Sequence, residues 1–320
     1  MTMRYVMLFP GQGAQYLHMC CHLYEKSVET RKIFETASQI LGYDLWDMIE
    51  NGDMKTLTKS KNAQPAVLTA SFALYHHFIK TYEKKPEIVV GHSLGEISAL
   101  VCSGSILFEE ALSFVKRRGE LMEEAFLKKL GFSGIVTNLS QKNLEKVIME
   151  LKEEGYVAIT SYNSPNQFMV GGVRKIEKLL DDKIEEWGGQ YIPHRMIPMK
   201  VDAPYHSKQM NVFQKDFEEI VQGIHFFAPS IPVFSTVCKD FIQNTEEISR
   251  WLVKQISSPV LWNQAIEEIS KKNYDAYIDI GPNRIMKNLI EENPKILPVF
   301  GADNEDEEKK ISSLFLQATS

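Results

Sequence analysis

The sequence predicts an α/β protein in which a large part is interrupted by a smaller inserted unit. Three observations predict it. Short apolar runs alternate with amphipathic stretches along most of the chain, the texture changes near Lys129, and the stretch that follows reads strand-helix-strand-strand-helix-strand. Tyr5–Phe9 reads as a buried strand ending in Pro10-Gly11-Gln12-Gly13, and Gln64–Lys80 carries apolar residues at helical spacing. Glu87–Val90 reads as a second buried strand that stops at Gly91, with a helix from Glu96 and another over Phe108–Leu127. Within the insertion, Phe132–Thr137, Val157–Ser161, Phe168–Gly171 and Tyr191–Pro198 read as strands, and Gln141–Glu153 and Arg174–Trp187 as helices. This β-α-β-β-α-β order is the ferredoxin-like pattern. The insertion spans 129–198, which leaves 1–128 and 199–320 for the large part, where Pro232–Ser235 and Ala276–Ile280 supply further core strands.

Composition narrows the classes. The 320 residues are 44% hydrophobic and 24% charged, enough apolar material for a sizeable core. A net charge of −6 gives no general electrostatic case for nucleic acid. The N-terminal apolar run is too short for a signal peptide, and no stretch nears the roughly 20 apolar residues of a membrane span. Cys20, Cys21, Cys102 and Cys238 show no metal-ligand spacing, so no metal is expected, and adjacent Cys20 and Cys21 do not suit a bridge to each other, which makes a reduced cytoplasmic setting the simplest expectation.

Gly91-His92-Ser93-Leu94-Gly95 fits Gly-x-Ser-x-Gly between a buried strand and a helix, the context of a nucleophile elbow and of an α/β-hydrolase-like large subdomain. The glycines allow the strained turn that lifts the serine hydroxyl, and the helix aims free N–H groups where an oxyanion forms. A serine nucleophile needs a base. Of eight histidines, His18 and His22 stand at i, i+4 on an expected helix, a spacing that suits a metal or a solvated face. His76 and His77 read as packing or surface residues, and His194 and His225 lack supporting context. The elbow turns the ring of His92 away from the hydroxyl, and His206, in the loop-like segment Asp202-Ala203-Pro204-Tyr205-His206-Ser207 just after the insertion, is by itself one reasonable candidate. Asp202 reads either as a turn cap or as an acid partner, and a Ser–His dyad held by a backbone carbonyl fits as well.

These landmarks, taken in order, resemble the malonyl-CoA:acyl carrier protein transacylase family, including the discrete acyltransferases that serve polyketide synthases in trans. They are Phe9-Pro10-Gly11-Gln12-Gly13, Gln64-Pro65-Ala66, the elbow with Glu96, Arg118-Gly119 with Met122, and Asn163-Ser164-Pro165. Ala203-Pro204-Tyr205-His206-Ser207, Gln255 with Pro259-Val260 and Trp262, and Gly281-Pro282 complete the series. The resemblance implies Ser93 as nucleophile, His206 as general base, the N–H groups of Gln12 and Leu94 as oxyanion hole, and the backbone carbonyl of Gln255 as the group orienting the histidine. It implies that Arg118 pairs with the free carboxylate of a malonyl group, a pairing that suits a guanidinium fork. Without it, Lys116, Arg117 and Arg118 read as solvated helix charges. Asn163 and Gln64 match polar positions near the site.

Leu94 and Tyr205 resemble the malonyl-type residues at positions where a bulky side chain crowds an α-methyl branch. One methyl group is worth about 1–3 kcal/mol, a preference. The sequence departs from the family at Gly131-Phe132-Ser133-Gly134, where Ser133 replaces a methionine near the acyl pocket. Repacking accounts for this, or a more polar pocket that takes a hydroxy- or aminomalonyl unit carried on a carrier protein. The implied reaction moves malonyl from coenzyme A through Ser93 to the phosphopantetheine thiol of an acyl carrier protein, for fatty acid or polyketide synthesis, with no cofactor and a monomeric enzyme. Arg195, Lys200 and Lys208 are candidate contacts for an acidic carrier protein. An editing hydrolase on the same dyad and a non-catalytic docking subunit are the rival readings.

Overall fold

Every residue of Tyr5–Phe9 is buried, and this strand, β1, lies in the middle of a six-stranded sheet. The computed structural model describes residues 3–197, 201–293, 296, 298–303 and 305–317. The other strands follow in chain order: β2 (Ile88–Gly91), β3 (Phe132–Thr137), β4 (Val157–Ser164), β5 (Gln167–Gly172), β6 (Gln190–Pro193), β7 (Val233–Ser235), β8 (Asp240–Phe241), β9 (Ala276–Asp279) and β10 (Val299–Gly301). The large sheet has the order β10-β9-β1-β2-β7-β8, parallel except for the β7–β8 pair. Parallel strands covered on both faces carry continuous apolar runs. In β1, Met7 and Phe9 pack into one core and Val6 and Leu8 into the other, the period-2 alternation of a strand.

The register sets Phe9 beside Gly91, so the carboxyl ends of β1 and β2 open side by side. Ligand crevices form at such ends of open α/β sheets. β2 runs through the elbow into the buried helix Leu94–Cys102. The helices Ser60–Tyr82 and Phe108–Leu127 pack against each other beside it. They approach closely because position 119 is glycine: a Cβ there would lie 2.4 Å from the Ser60 carbonyl oxygen. That close approach brings Gln64 of one helix to Arg118 and Met122 of the other.

Residues 132–193 form the second sheet, fully antiparallel, in the order β4-β5-β3-β6. This is the ferredoxin-like arrangement, with its own core around Phe132, Leu144, Val170 and Leu180. Edge strand β4 is stitched to the large part, since Tyr162 N–H donates to the Val260 carbonyl (2.9 Å) and Val260 N–H to that of Thr160 (3.0 Å).

Four local expectations change. Residues 174–176 form a 3₁₀ turn before the helix Glu177–Glu186, and β6 stops at Pro193 because His194–Met196 turn into 3₁₀ geometry; Pro198 lies outside the described residues. His18 and His22 do not share a helix. His18 has a left-handed backbone (φ 66°), whereas His22 sits on the helix Cys21–Lys26 and faces Glu308 at 3.8 Å. Asp202 neither caps a turn nor joins a catalytic triad: it accepts from the Ser133 N–H (2.8 Å) and from Arg174 (2.7 Å). Among the described residues, no helix is long and apolar enough to cross a membrane.

Candidate active site

Ser93 caps the helix Leu94–Cys102 with φ 55° and ψ −111°, a conformation that costs of order 1–3 kcal/mol outside glycine. The flanking glycines permit it. A Cβ on Gly91 would lie 2.0 Å from Gly95 backbone, and one on Gly95 2.0 Å from the Phe9 carbonyl oxygen. The turn leaves Ser93 Oγ 2.7 Å from His206 Nε2. His206 is itself left-handed (φ 60°) and anchored, its N–H donating to the Ile256 carbonyl (3.0 Å) and its Nδ1 facing the Gln255 carbonyl oxygen at 2.8 Å. That last contact fixes the ring, with Nδ1–H as donor and Nε2 as acceptor. Burial, followed by the nearby Arg118 guanidinium, pushes His206 down to about 3, so at neutral pH the ring is uncharged and can accept the serine proton.

Arg118 alone of the three consecutive basic residues is buried, at 2% exposure. Lys116 donates to the Leu41 carbonyl and Arg117 pairs with Glu120 on the surface. The Arg118 guanidinium donates to Gln64 Oε1 (2.8 Å), to Gln255 Oε1 (3.0 Å) and to Ser93 Oγ (3.2 Å), and approaches Met122 Sδ at 3.3 Å. No ion pair of Arg118 with a carboxylate occurs among the described residues. Burial lowers its pKa to about 10, which leaves it cationic at neutral pH. The arrangement is a desolvated cation beside a serine hydroxyl, held by neutral amide oxygens that an incoming anion can displace.

Gln255 does more than sequence reasoning assigned to it. Besides its carbonyl bond to His206, its side chain accepts from Arg118 and donates to the Ser93 carbonyl oxygen at 3.0 Å. Gln64 donates to Gln12 Oε1 at 3.2 Å, and Gln12 donates to Ser60 Oγ at 3.0 Å, tying the Gly-rich turn to the same network. Among the described residues, the backbone N–H groups of Gln12 and Leu94 donate to no protein acceptor. Glu96, buried on the helix after the serine, accepts from Ser235 and Thr236, and burial raises its pKa.

Above Ser93 lies a cavity of about 190 Å³ lined by Gln12, Met122, Asn163, Tyr205 and His206, with Ile135, Met169, Ile285, Met286 and Leu289 as apolar walls. His92 turns away from the hydroxyl, as the elbow requires, with Nε2 at 3.0 Å from both Ser161 Oγ and Asn163 Oδ1. Tyr205 donates its hydroxyl to the Met122 carbonyl (2.7 Å), which holds the ring in the wall. Leu94 does not line the cavity; its side chain is fully buried in the core, so of the two residues expected to crowd a methyl branch only Tyr205 is placed to do so.

His194, for which the sequence offers no context, lines the cavity, and its Nδ1 lies 2.8 Å from Ser133 Oγ. Ser133 therefore stands one step behind the wall. The helix Ile285–Glu291 was also missed, although apolar residues at 285, 286 and 289 after Gly281-Pro282 carry the helical spacing that could have found it. Among the carrier-protein candidates, Arg195 is engaged by Glu177, Lys208 is exposed, and Lys200 lies outside the described residues.

Residues 6–305 match the acyl transferase domain family. Malonyl CoA-acyl carrier protein transacylase of Bacillus subtilis (strain 168) is 32% identical over 309 residues, 96% of each chain. A malonyl-transacylase solved in complex with its type II polyketide synthase acyl-carrier protein superposes with a TM-score of 0.90 at 30% identity, over 95% of this chain and 97% of the other. FabD from Acinetobacter baumannii gives 0.92 at 26% identity, over 99% and 100%. With a match spanning nearly its whole length and an elbow, imidazole and buried arginine assembled at one crevice, the chain belongs to the acyl transferase domain family.

Proposed function

We propose that this protein is a malonyl-CoA:acyl carrier protein S-malonyltransferase that carries the malonyl group on Ser93. The observation that carries the reading is the position of Ser93 Oγ, between the neutral His206 imidazole and the carboxylate-free Arg118 guanidinium. His206 Nε2 takes the hydroxyl proton as Ser93 Oγ attacks the thioester carbonyl of malonyl-CoA. The N–H groups of Gln12 and Leu94 receive the developing oxyanion, and the malonyl carboxylate takes the Arg118 fork from the amide oxygens of Gln64 and Gln255. The C–S bond breaks, and the sulfur of coenzyme A leaves with the proton held on His206. The phosphopantetheine thiol of an acyl carrier protein then attacks malonyl-Ser93, giving its proton to His206, which returns it to Ser93 Oγ. The apolar walls at Ile135, Met169, Ile285, Met286 and Leu289 suit the thioester arm. Met122, Asn163, Tyr205 and Gln64 shape and hold the acyl site. The reading has a cytoplasmic monomer that needs no bound cofactor and serves fatty acid or polyketide synthesis.

The test is direct. Mixed with malonyl-CoA, the native chain gains one malonyl mass increment on the Ser93 peptide and loses it when a holo acyl carrier protein is added. Ser93→Ala gains none. A malonyl increment on another residue, or release to water in place of transfer, overturns the proposal.

A further inference from the structure

A second cluster of chemistry-bearing side chains lies away from the cavity. Downstream of the Gly11–Gly13 turn, His18 and Cys20 both take left-handed backbone, φ 66° and 63°, although neither is glycine. The His18 N–H donates to the Ile49 carbonyl (3.0 Å), which fixes this turn against the end of the helix Leu45–Glu50. Cys21 opens the next helix, and its Sγ–H donates to Glu50 Oε2 at 2.9 Å. His18 Nδ1 lies 3.6 Å from the same oxygen, and the three candidate ligand atoms lie within 4.8 Å of one another.

We propose that His18, Cys21 and Glu50 form a binding site for a borderline divalent transition metal, Zn²⁺ in the first instance, with water as the fourth ligand.

The ligand set and its spacing support this. Tetrahedral zinc, with metal–ligand bonds of about 2.0–2.3 Å, separates its ligand atoms by roughly 3.3–3.6 Å. The Cys21–Glu50 and His18–Glu50 separations of 2.9 and 3.6 Å span that range and the His18–Cys21 separation is at most 4.8 Å, so rotation of the exposed His18 side chain can close the site around an ion. One thiolate, one imidazole and one carboxylate favour zinc over magnesium or calcium, which demand six or more oxygens. The site is open to solvent, with the His18 and Glu50 side chains 62% and 38% exposed, so an ion can enter and a water can complete the tetrahedron. On loading, the Cys21 thiol proton passes to solvent while Sγ, Nδ1 and the carboxylate each form a bond to the metal; nothing is oxidised or reduced. The bound ion would join the turn after the glycine-rich segment to the Leu45–Glu50 helix. Cys20 and Cys102 are buried, and half-buried Cys238 belongs to no comparable ligand group among the described residues.

The probe is Co²⁺ added to the reduced, metal-free full-length chain. One equivalent should produce a thiolate-to-cobalt charge-transfer band, which Zn²⁺ bleaches. Cys21→Ser should abolish the band and Cys238→Ser leave it intact, while His18→Ala and Glu50→Gln each weaken cobalt binding by at least about 10-fold. Zn²⁺ should raise the melting temperature of the native chain but not that of Cys21→Ser. No band at millimolar Co²⁺, a band that survives Cys21→Ser, or one that Cys238→Ser removes would each overturn the site. Malonyl transfer does not enter the readout, so the site stands or falls independently of the proposed reaction.

Discussion

Replacing Arg118 by alanine removes the cation beside Ser93 and separates two effects that the native site combines. In the native site the guanidinium gives its hydrogen bonds to neutral amide oxygens, Gln64 Oε1 at 2.8 Å and Gln255 Oε1 at 3.0 Å. A malonyl carboxylate replaces them with charge-assisted bonds, worth about 1.5–3 kcal/mol, which corresponds to about 10- to 150-fold in kcat/KM. An acetyl group has no carboxylate and gains nothing from the fork. The same substitution removes the N–H donated to Ser93 Oγ and the cation that helps hold His206 down. His206 then becomes more basic, and acetyl loading should hold or rise as malonyl loading falls. The assay is single-turnover release of coenzyme A from each thioester, followed with the mass of the acylated chain. Two buried amide oxygens lose their donors in the variant, at about 1–3 kcal/mol each, so the comparison is made well below its melting temperature. Equal falls for malonyl and acetyl loading would refute carboxylate recognition by Arg118 and leave it a structural residue.

Four further outcomes follow from the same geometry. Because the free-enzyme His206 is held down to about 3, kcat/KM for malonyl loading should show no histidine limb between pH 5 and 8, and an inflection near 6.5 would contradict the assignment. The same depression makes the unfolded chain bind more protons below its own histidine value, so stability falls as pH drops from about 6.5 toward 3, measurable by urea titration. Asp202→Ala should lower stability by about 1–3 kcal/mol, because the Ser133 N–H and Arg174 lose their acceptor, yet reduce kcat by less than about 10-fold. Loss of an acid partner in a triad costs nearer 10⁴. Tyr205→Ser should shift the methylmalonyl-to-malonyl ratio of kcat/KM upward by about 10-fold or more, since this ring stands in the cavity wall and one methyl group is worth about 1–3 kcal/mol.

Much of this was legible in the sequence because it is encoded locally. The buried strand Tyr5–Phe9, the elbow glycines and the β-α-β-β-α-β order are short-range patterns, and each appears close to its expected span. Arg118 was legible only by resemblance, since nothing in Lys116-Arg117-Arg118 says which residue faces inward until two helices close over Gly119. Other features are long-range and leave little trace. Asp202 meets Ser133 and Arg174 across 69 and 28 positions, and the Gln255 side chain reaches Ser93 across 162. His194 becomes a cavity residue only because β6 ends at Pro193 and the chain turns. Leu94 shows the opposite error: its type matched a specificity position, but the elbow directs its side chain into the core.

The imidazole of His206 rests against the carbonyl of Gln255, and burial beside the Arg118 guanidinium makes it reluctant to take up a proton. Such a base discriminates between the two nucleophiles that reach an acylated serine. A thiol, with a pKa near 8.5, gives up its proton readily, whereas water, at about 15.7, must be pulled apart. Of the two, a weak base favours the more acidic thiol. On the proposed mechanism, an ester on Ser93 would therefore outlast the interval between one carrier's departure and the next one's arrival, and the desolvated histidine beside Arg118 would tilt the outcome from waste toward transfer.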